Sequence, residues 1–299
     1  MRPLLLVVAA AICFGTTGTA QAFGPDAASS AAVGLTRIVA GGALLGLVAR
    51  RVAGRSRGRP TRRRPSSADV LVVLTGGVAV LAYQPTFFAG ARLNGVAIGA
   101  VVTLGSAPVL TGLLEWLLTR RVPSAAWFAG TSVSVAGVVL LSGLLEDAGH
   151  AVDAGGLAAS LGAGLSYAVY TLAAKRLLVG GWTPTASVGS IFATAAVLGA
   201  PFLLLVDLSW VATLPGATTV AWLAVVTVVV AYVLFATGLR ELPASTVSTL
   251  TLVEPLTACV LGLVLLDERL SAAGWVGLAV LLAGVVVLAR PARGGSATS

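Results

Sequence analysis

Ten stretches of roughly twenty mostly apolar residues follow one another along this 299-residue chain, and that spacing constrains the fold more than any other feature. A helix rising 1.5 Å per residue needs about 20 residues to cross a hydrocarbon core about 30 Å thick. The stretches lie near 3–20, 30–49, 69–89, 95–117, 123–143, 155–173, 184–205, 217–238, 243–265 and 272–290. No water reaches a backbone in lipid, so each must be a helix or part of a closed barrel. Their lengths and the lack of alternating polar residues select helices. The expected fold class is all-α integral membrane, with ten transmembrane helices. Only 10% of the residues are charged, against about 25% in a soluble chain, which disfavours a soluble enzyme, a secreted disulfide scaffold and a nucleic-acid-binding domain.

A net charge of +8 would ordinarily raise the question of a nucleic-acid partner, so the location of the cations matters. Arg50, Arg51, Arg55, Arg57, Arg59, Arg62, Arg63 and Arg64 all fall in one connection over 50–68, and without those eight the chain is neutral. The basicity reads as a topology signal in a flexible loop, with an anionic-lipid or regulatory site as the alternative. No nucleic-acid partner is expected. Cys13 and Cys259 each sit inside an apolar run, where cysteine behaves as a small hydrophobe. His150 is the single histidine, so no four-ligand zinc set can be assembled; neither metal nor cofactor is expected.

Basic connections are retained on the cytoplasmic side of a membrane. With both termini inside, Arg2, the eight loop arginines, Arg120, Arg121, Lys175, Arg176, Arg240, Arg290 and Arg293 face the cytoplasm. Arg92 and Arg269 face out, Arg37 lies within span two, and the connection after span five carries Glu146, Asp147 and Asp153 with no basic residue. One lysine against eighteen arginines, with abundant Ala, Gly and Val, suggests a G+C-rich bacterium, so the expected location is a bacterial inner membrane. Arg2, the apolar run and Ala20-Gln21-Ala22 also fit a signal peptide with its cleavage site, which would leave nine spans and an unpaired half.

A shift of about 148 residues superimposes two halves. Phe87-x-x-Gly90-x-Arg92 at the end of span three matches Phe235-x-x-Gly238-x-Arg240 at the end of span eight. Pro108 in span four corresponds to Pro255 in span nine, and Phe14 and Tyr167 fall at matching points of spans one and six. Five spans per half is an odd number, so the second copy enters the membrane from the opposite side, as in transporters with inverted repeats. The expected organisation is a first repeat over 1–143, an outer linker over 144–154, a second repeat over 155–290 and a cytoplasmic tail over 291–299. The two prolines are expected helix breaks or hinges.

These residues resemble the drug/metabolite transporter superfamily, specifically its EamA-domain members built as two five-helix repeats, over about 3–290 of the chain. The resemblance is carried by Phe14-Gly15, Arg37, the Tyr83 to Arg92 segment, Pro108, and Pro255 followed by Leu266-Asp267-Glu268-Arg269-Leu270. In that family a proline in the fourth helix of each repeat precedes a Glu-Arg pair. Pro255 is followed thirteen residues later by Glu268, with Arg269 next to it, whereas the same step from Pro108 reaches Arg121, so the first half lacks the acid. The family pattern also usually has tryptophan where this chain has Phe14.

An ionisable group inside a span costs several kcal/mol unless paired, hydrated or neutralised, which makes it a functional candidate. Glu254 lies well inside span nine beside Pro255, where it could exchange a proton and read a substrate cation, or serve as a protonated structural carboxyl. Arg37 stands seven or eight residues into span two, and its reading is an ion pair with an acid such as Glu254 or a bridge to a substrate carboxylate. Glu115 is close enough to the inner end of span four to reach water or Arg120, as an interfacial anchor. The uncharged candidates are Thr16, Thr17, Tyr83, Gln84, Tyr167, Tyr170 and Thr171, the last three on one helical face. Aromatic walls with a few polar groups are typical of small-molecule sites, although Ser and Thr in membrane helices often bond only the backbone.

The resemblance implies a secondary transporter that exports an amino acid, related metabolite or drug-like compound by alternating access, with proton coupling through Glu254 as a further expectation. No catalytic motif and no nucleotide-binding loop is present, so the chain is not expected to be an enzyme. The alternative is an integral membrane enzyme or carrier for lipid-linked substrates, but such chemistry needs clustered acids or histidines, and the cytoplasmic loops offer only Asp69 and Glu241. The expected partners are a small-molecule substrate and the lipid bilayer. A homodimer stays open, since the small-residue faces could pack within one chain or between two.

Overall fold

The computed structural model describes residues 2–55, 65–142, 152–267 and 269–289. Among the described residues every regular element is helical. The α-helices are α1 (Arg2–Ala22), α2 (Ser30–Arg55), α3 (Ser67–Asn94), α4 (Val96–Thr119), α5 (Ala125–Leu141), α6 (Ala154–Val179), α7 (Pro184–Gly199), α8 (Leu214–Ala224), α9 (Ala231–Glu241), α10 (Ala244–Leu250), α11 (Val253–Leu265) and α12 (Ala272–Ala289). α7 runs on through a tighter 3₁₀ turn to Leu205, and α8 joins α9 through a π-helical segment, Val225–Val230.

Eight of the described stretches are long and apolar enough to cross a membrane, with α8–α9 and α10–α11 each acting as one stretch. The remaining two of the ten expected spans are the shorter apolar helices α5 and α12. At 17 and 18 residues they reach about 25–27 Å, just short of an average hydrocarbon core. Helices α2 and α3 instead overrun their expected ends, so Arg50, Arg51 and Arg55 belong to helix α2 and not to a loop. The rest of that arginine cluster, Arg57 to Arg64, lies outside the described residues, as do Glu146, Asp147, His150, Glu268, Arg290 and Arg293.

Side-chain caps set where helices start. Ser66 and Asp69 close a capping box at α3, and Ser124, Asp153, Thr183 and Thr213 each accept a backbone N–H at the start of α5, α6, α7 and α8. The main pairings are α3 on α6, α2 on α7, α5 on α12, α4 on α6, and α1 on both α9 and α11. Small residues permit the close ones. On α5, Gly130 and Gly137 face Gly284, Leu281 and Leu288 of α12, while Gly277 faces the backbone of Leu140 and Leu141. These small-residue faces are thus used within the chain. Large apolar side chains such as Leu118 and Leu204, 73% and 88% exposed, point outward, as suits a bundle solvated by lipid.

Candidate functional site

Inside the bundle, six spans converge on a cavity of about 50 Å³. It is lined by Phe14 of α1, Arg37 and Ile38 of α2, Val80, Tyr83 and Gln84 of α3, Tyr167 and Tyr170 of α6, Tyr232 of α9 and Glu254 of α11. Residues three and four apart on α3, and three apart on α6, share a face and turn together toward the centre. The rings form a contiguous wall: Tyr232 stands 4.9 Å from Phe14, 4.0 Å from Phe192 and 6.1 Å from Tyr170, and Tyr170 stands 5.1 Å from Tyr167, centroid to centroid. Offset and edge-on pairs of this kind add about 0.5–1.5 kcal/mol each beyond burial, so this wall is rigid on two sides. Gln84 bridges the third side, its Nε2 donating to the Gly34 carbonyl at 3.4 Å.

Arg37 is held edge-on by a single residue. Its Nε donates to the Thr227 hydroxyl at 2.9 Å and its Nη2 to the Thr227 carbonyl at 3.4 Å. Thr227 sits in the π-helical segment, and this is what makes its carbonyl reachable. In an α-helix the Ala231 N–H would take that oxygen; here it bonds Val226 and Val228 instead. Among the described residues Arg37 has no carboxylate within ion-pair distance, so the expected direct pair with Glu254 is not formed. Both charges face the same cavity.

Glu254 owes its position to a broken helix. The chain leaves α10 at Leu250, turns through Thr251 (φ −68°, ψ −10°) and Leu252 (φ −65°, ψ −5°), and restarts as α11 one residue before Glu254. Pro255 has no N–H to give the Thr251 carbonyl four residues earlier, and the Glu254 N–H bonds that oxygen at 2.9 Å. The Thr251 hydroxyl donates to the Ser248 carbonyl at 2.7 Å, so the Tyr167 hydroxyl, 2.8 Å away, donates to Thr251. The cavity wall is thereby tied to the break. On the other side α1 presses against it: a Cβ added at Gly15 would lie 2.6 Å from the Thr257 Cβ and 2.7 Å from the Glu254 carbonyl.

At one end of the bundle two charges clasp the turn between α9 and α10. Glu115 of α4 accepts the Ala244 and Ser245 N–H groups at 2.8 and 2.9 Å, capping α10. Lys175 of α6 donates to the carbonyls of Leu239, Arg240 and Leu242, closing the end of α9. Glu115 is therefore a helix cap and not an anchor for Arg120.

Six sequence candidates thus meet at one cavity: Arg37, Tyr83, Gln84, Tyr167, Tyr170 and Glu254, with Phe14 beside them. Three do not. Thr17 bonds the Phe14 carbonyl at 2.6 Å, and Thr171 is fully buried outside the cavity lining. Thr16 bonds Cys13 and receives Trp222 Nε1 at 3.0 Å. Pro108 sits inside an unbroken α4, so only Pro255 accompanies a break. Arg269 is exposed in the connection before α12. Tyr232 and Thr227 were absent from the candidates. The repeat contained a signal for Tyr232, because a shift of 148 carries Gln84 onto it; nothing in the sequence marks Thr227, whose role depends on the π segment.

The chain matches the EamA-like transporter family over residues 1–143 and 154–290. It is similar to the uncharacterized transporter YwfM of Bacillus subtilis (strain 168), 35% identical over 292 residues that cover 97% of this chain and 94% of that protein. It is also similar to the threonine/homoserine exporter RhtA of Escherichia coli (strain K12), 28% identical over 215 residues covering 71% of this chain and 69% of the exporter. A crystal structure 22% identical in sequence superimposes over 96% of each chain with a TM-score of 0.77, a likeness of fold.

Proposed function

This chain belongs to the EamA-like transporter family, and from that premise we propose that it is a secondary exporter of a small zwitterionic metabolite of the amino-acid class. The observation that carries the reading is the cavity that brings Arg37 and Glu254, from opposite halves of the sequence, inside a wall of four tyrosines. A guanidinium reads a carboxylate through paired N–H donors, and a carboxylate among aromatic faces reads an ammonium. A substrate bearing both charges leaves neither one unpaired in a low-dielectric interior. The relative from Escherichia coli is a threonine/homoserine exporter, and such molecules have this chemistry.

Movement follows alternating access between two inverted five-helix repeats, 1–143 and 155–290. The packing supports this reading, because exchanging the halves maps its main contacts onto one another. α3 rests on α6 as α9 rests on α1, α4 on α6 as α11 on α1, and α2–α7 and α5–α12 pair across the halves. Gly90 presses on Gly156 and Ser160 of α6, and Gly238, its counterpart, presses on Pro3 and Val7 of α1. A cavity of about 50 Å³ has room for a few waters, so loading a metabolite requires these walls to part. With the termini cytoplasmic, as the basic residues favour, α10 and its clasp close the inner side.

Glu254 carries the coupling. Its carboxyl holds either a proton or the substrate ammonium, so a proton arriving from outside displaces a substrate bound from inside. The test is flux of a labelled amino-acid and metabolite panel in proteoliposomes, with and without an imposed pH gradient, for the wild type and Glu254→Gln. Gradient-driven flux that disappears in the variant is expected. A variant that keeps full gradient dependence would sink the coupling role, and a wild type that moves no zwitterion would sink the substrate class.

A further inference from the structure

We propose that Thr227 is the positioning residue for carboxylate selection: it fixes the Arg37 guanidinium by one edge so that the terminal fork stays free for the substrate carboxylate. The inference rests on the reading of Arg37 as carboxylate receptor given above. A guanidinium carries five N–H donors in a rigid plane, with two edges that suit paired acceptors. Thr227 occupies the Nε/Nη2 edge with two oxygens of a single residue, hydroxyl and carbonyl. Among the described residues no other group accepts a hydrogen bond from Arg37, so the Nη1/Nη2 fork is left for bidentate contact within the cavity.

Three features make Thr227 a dedicated acceptor. Its own hydroxyl proton is committed to the Leu223 carbonyl at 2.7 Å, which presents the oxygen lone pairs to Nε. Its carbonyl is open because the π segment sends the Ala231 N–H to neighbouring oxygens. The residue is fully buried, so no solvent competes for either contact. The neighbouring backbone is held close: one turn past Arg37, a Cβ at Gly41 would lie 2.7 Å from Val228, so α2 lies against the π segment. Without the Thr227 oxygens, an arginine head at this depth would swing toward Glu254 or toward the interface, and the fork would lose its aim.

The test compares competition by L-threonine and by L-threoninamide, which keeps the ammonium and lacks the carboxylate, for labelled substrate in proteoliposomes of wild type, Thr227→Val, Thr227→Ala and Thr227→Ser. The wild type should favour the acid by about tenfold or more, Thr227→Ser should keep that ratio, and Thr227→Val and Thr227→Ala should bring it close to one with amide affinity unchanged. Loss confined to the acid is a signature that general destabilisation would not produce. Retention of the wild-type ratio in either hydroxyl-free variant overturns the inference while leaving the function intact. A wild type that does not distinguish acid from amide overturns the receptor reading, and the role of Thr227 falls with it.

Discussion

Helix α4 packs on α6 and helix α11 on α1, and both carry a proline, Pro108 and Pro255, yet α4 runs unbroken for 24 residues while α10–α11 is split in two. A proline alone does not decide the outcome; α3 also continues past Pro85. The difference lies in what receives the freed carbonyls. Ahead of Pro255 the run Ser245-Thr246-Val247-Ser248-Thr249-Leu250-Thr251 offers hydroxyls that compete for backbone oxygens, and Thr251 takes that of Ser248 while Tyr167 holds Thr251 from outside. Ahead of Pro108 the sequence Val101-Val102-Thr103-Leu104-Gly105-Ser106-Ala107 has two hydroxyls: that of Ser106 bonds the Thr103 carbonyl at a longer 3.3 Å, and that of Thr103 reaches across to the Ser160 carbonyl. The half with the break is also the half whose acid lines the cavity.

Exchanging the prolines for alanine should separate the two helices most sharply. Pro255→Ala is expected to lower turnover by about tenfold or more, because a continuous helix would compete with the Tyr167–Thr251 tie and re-aim Glu254. Pro108→Ala should leave transport within about threefold and raise stability by about 1–3 kcal/mol, since it restores a missing backbone bond in a helix that already runs through this position. Equal losses in both variants, measured as flux per reconstituted protein, would erase the functional distinction.

A smaller effect should distinguish the helices that press on each break point. A Cβ added at Gly15 of α1 would lie 2.7 Å from the Glu254 carbonyl, whereas Ala168 of α6, next to Tyr167 as Gly15 is next to Phe14, already carries a buried Cβ. Gly15→Ala should destabilise the protein by about 1–3 kcal/mol in thermal unfolding and slow transport, whereas Ala168→Gly should cost about 1 kcal/mol and spare it. Smallest of all, Tyr167→Phe removes one hydroxyl at the break and should cost about 0.5–1.5 kcal/mol, with a fall in kcat at nearly constant KM. An unchanged kcat would detach the cavity wall from the break.

Much of this arrangement was legible before any coordinates. Apolar runs located the helices to within a few residues, because length and hydropathy follow directly from the thickness of a bilayer. Arg37, Tyr83, Gln84, Tyr167, Tyr170 and Glu254 stood out since polar groups inside an apolar span are costly wherever they occur. What was not legible depends on choices between hydrogen-bond partners. Arg37 has Thr227 and not Glu254 because a local π turn opens one carbonyl. Glu115 reaches across to α10 because the free N–H groups of a helix start lie within its reach. Neither partner is adjacent in sequence, and neither distance follows from periodicity.

Lys175 is the single lysine of the chain, and its ammonium is committed to three carbonyls around the turn from α9 to α10. Chemically, that makes the molecule its own reporter. An amine-reactive reagent meets one lysine side chain, and that amine reacts faster whenever the turn releases its three hydrogen bonds. A change in the labelling rate at position 175 therefore reports a change in how often this end of the bundle opens, without an introduced probe.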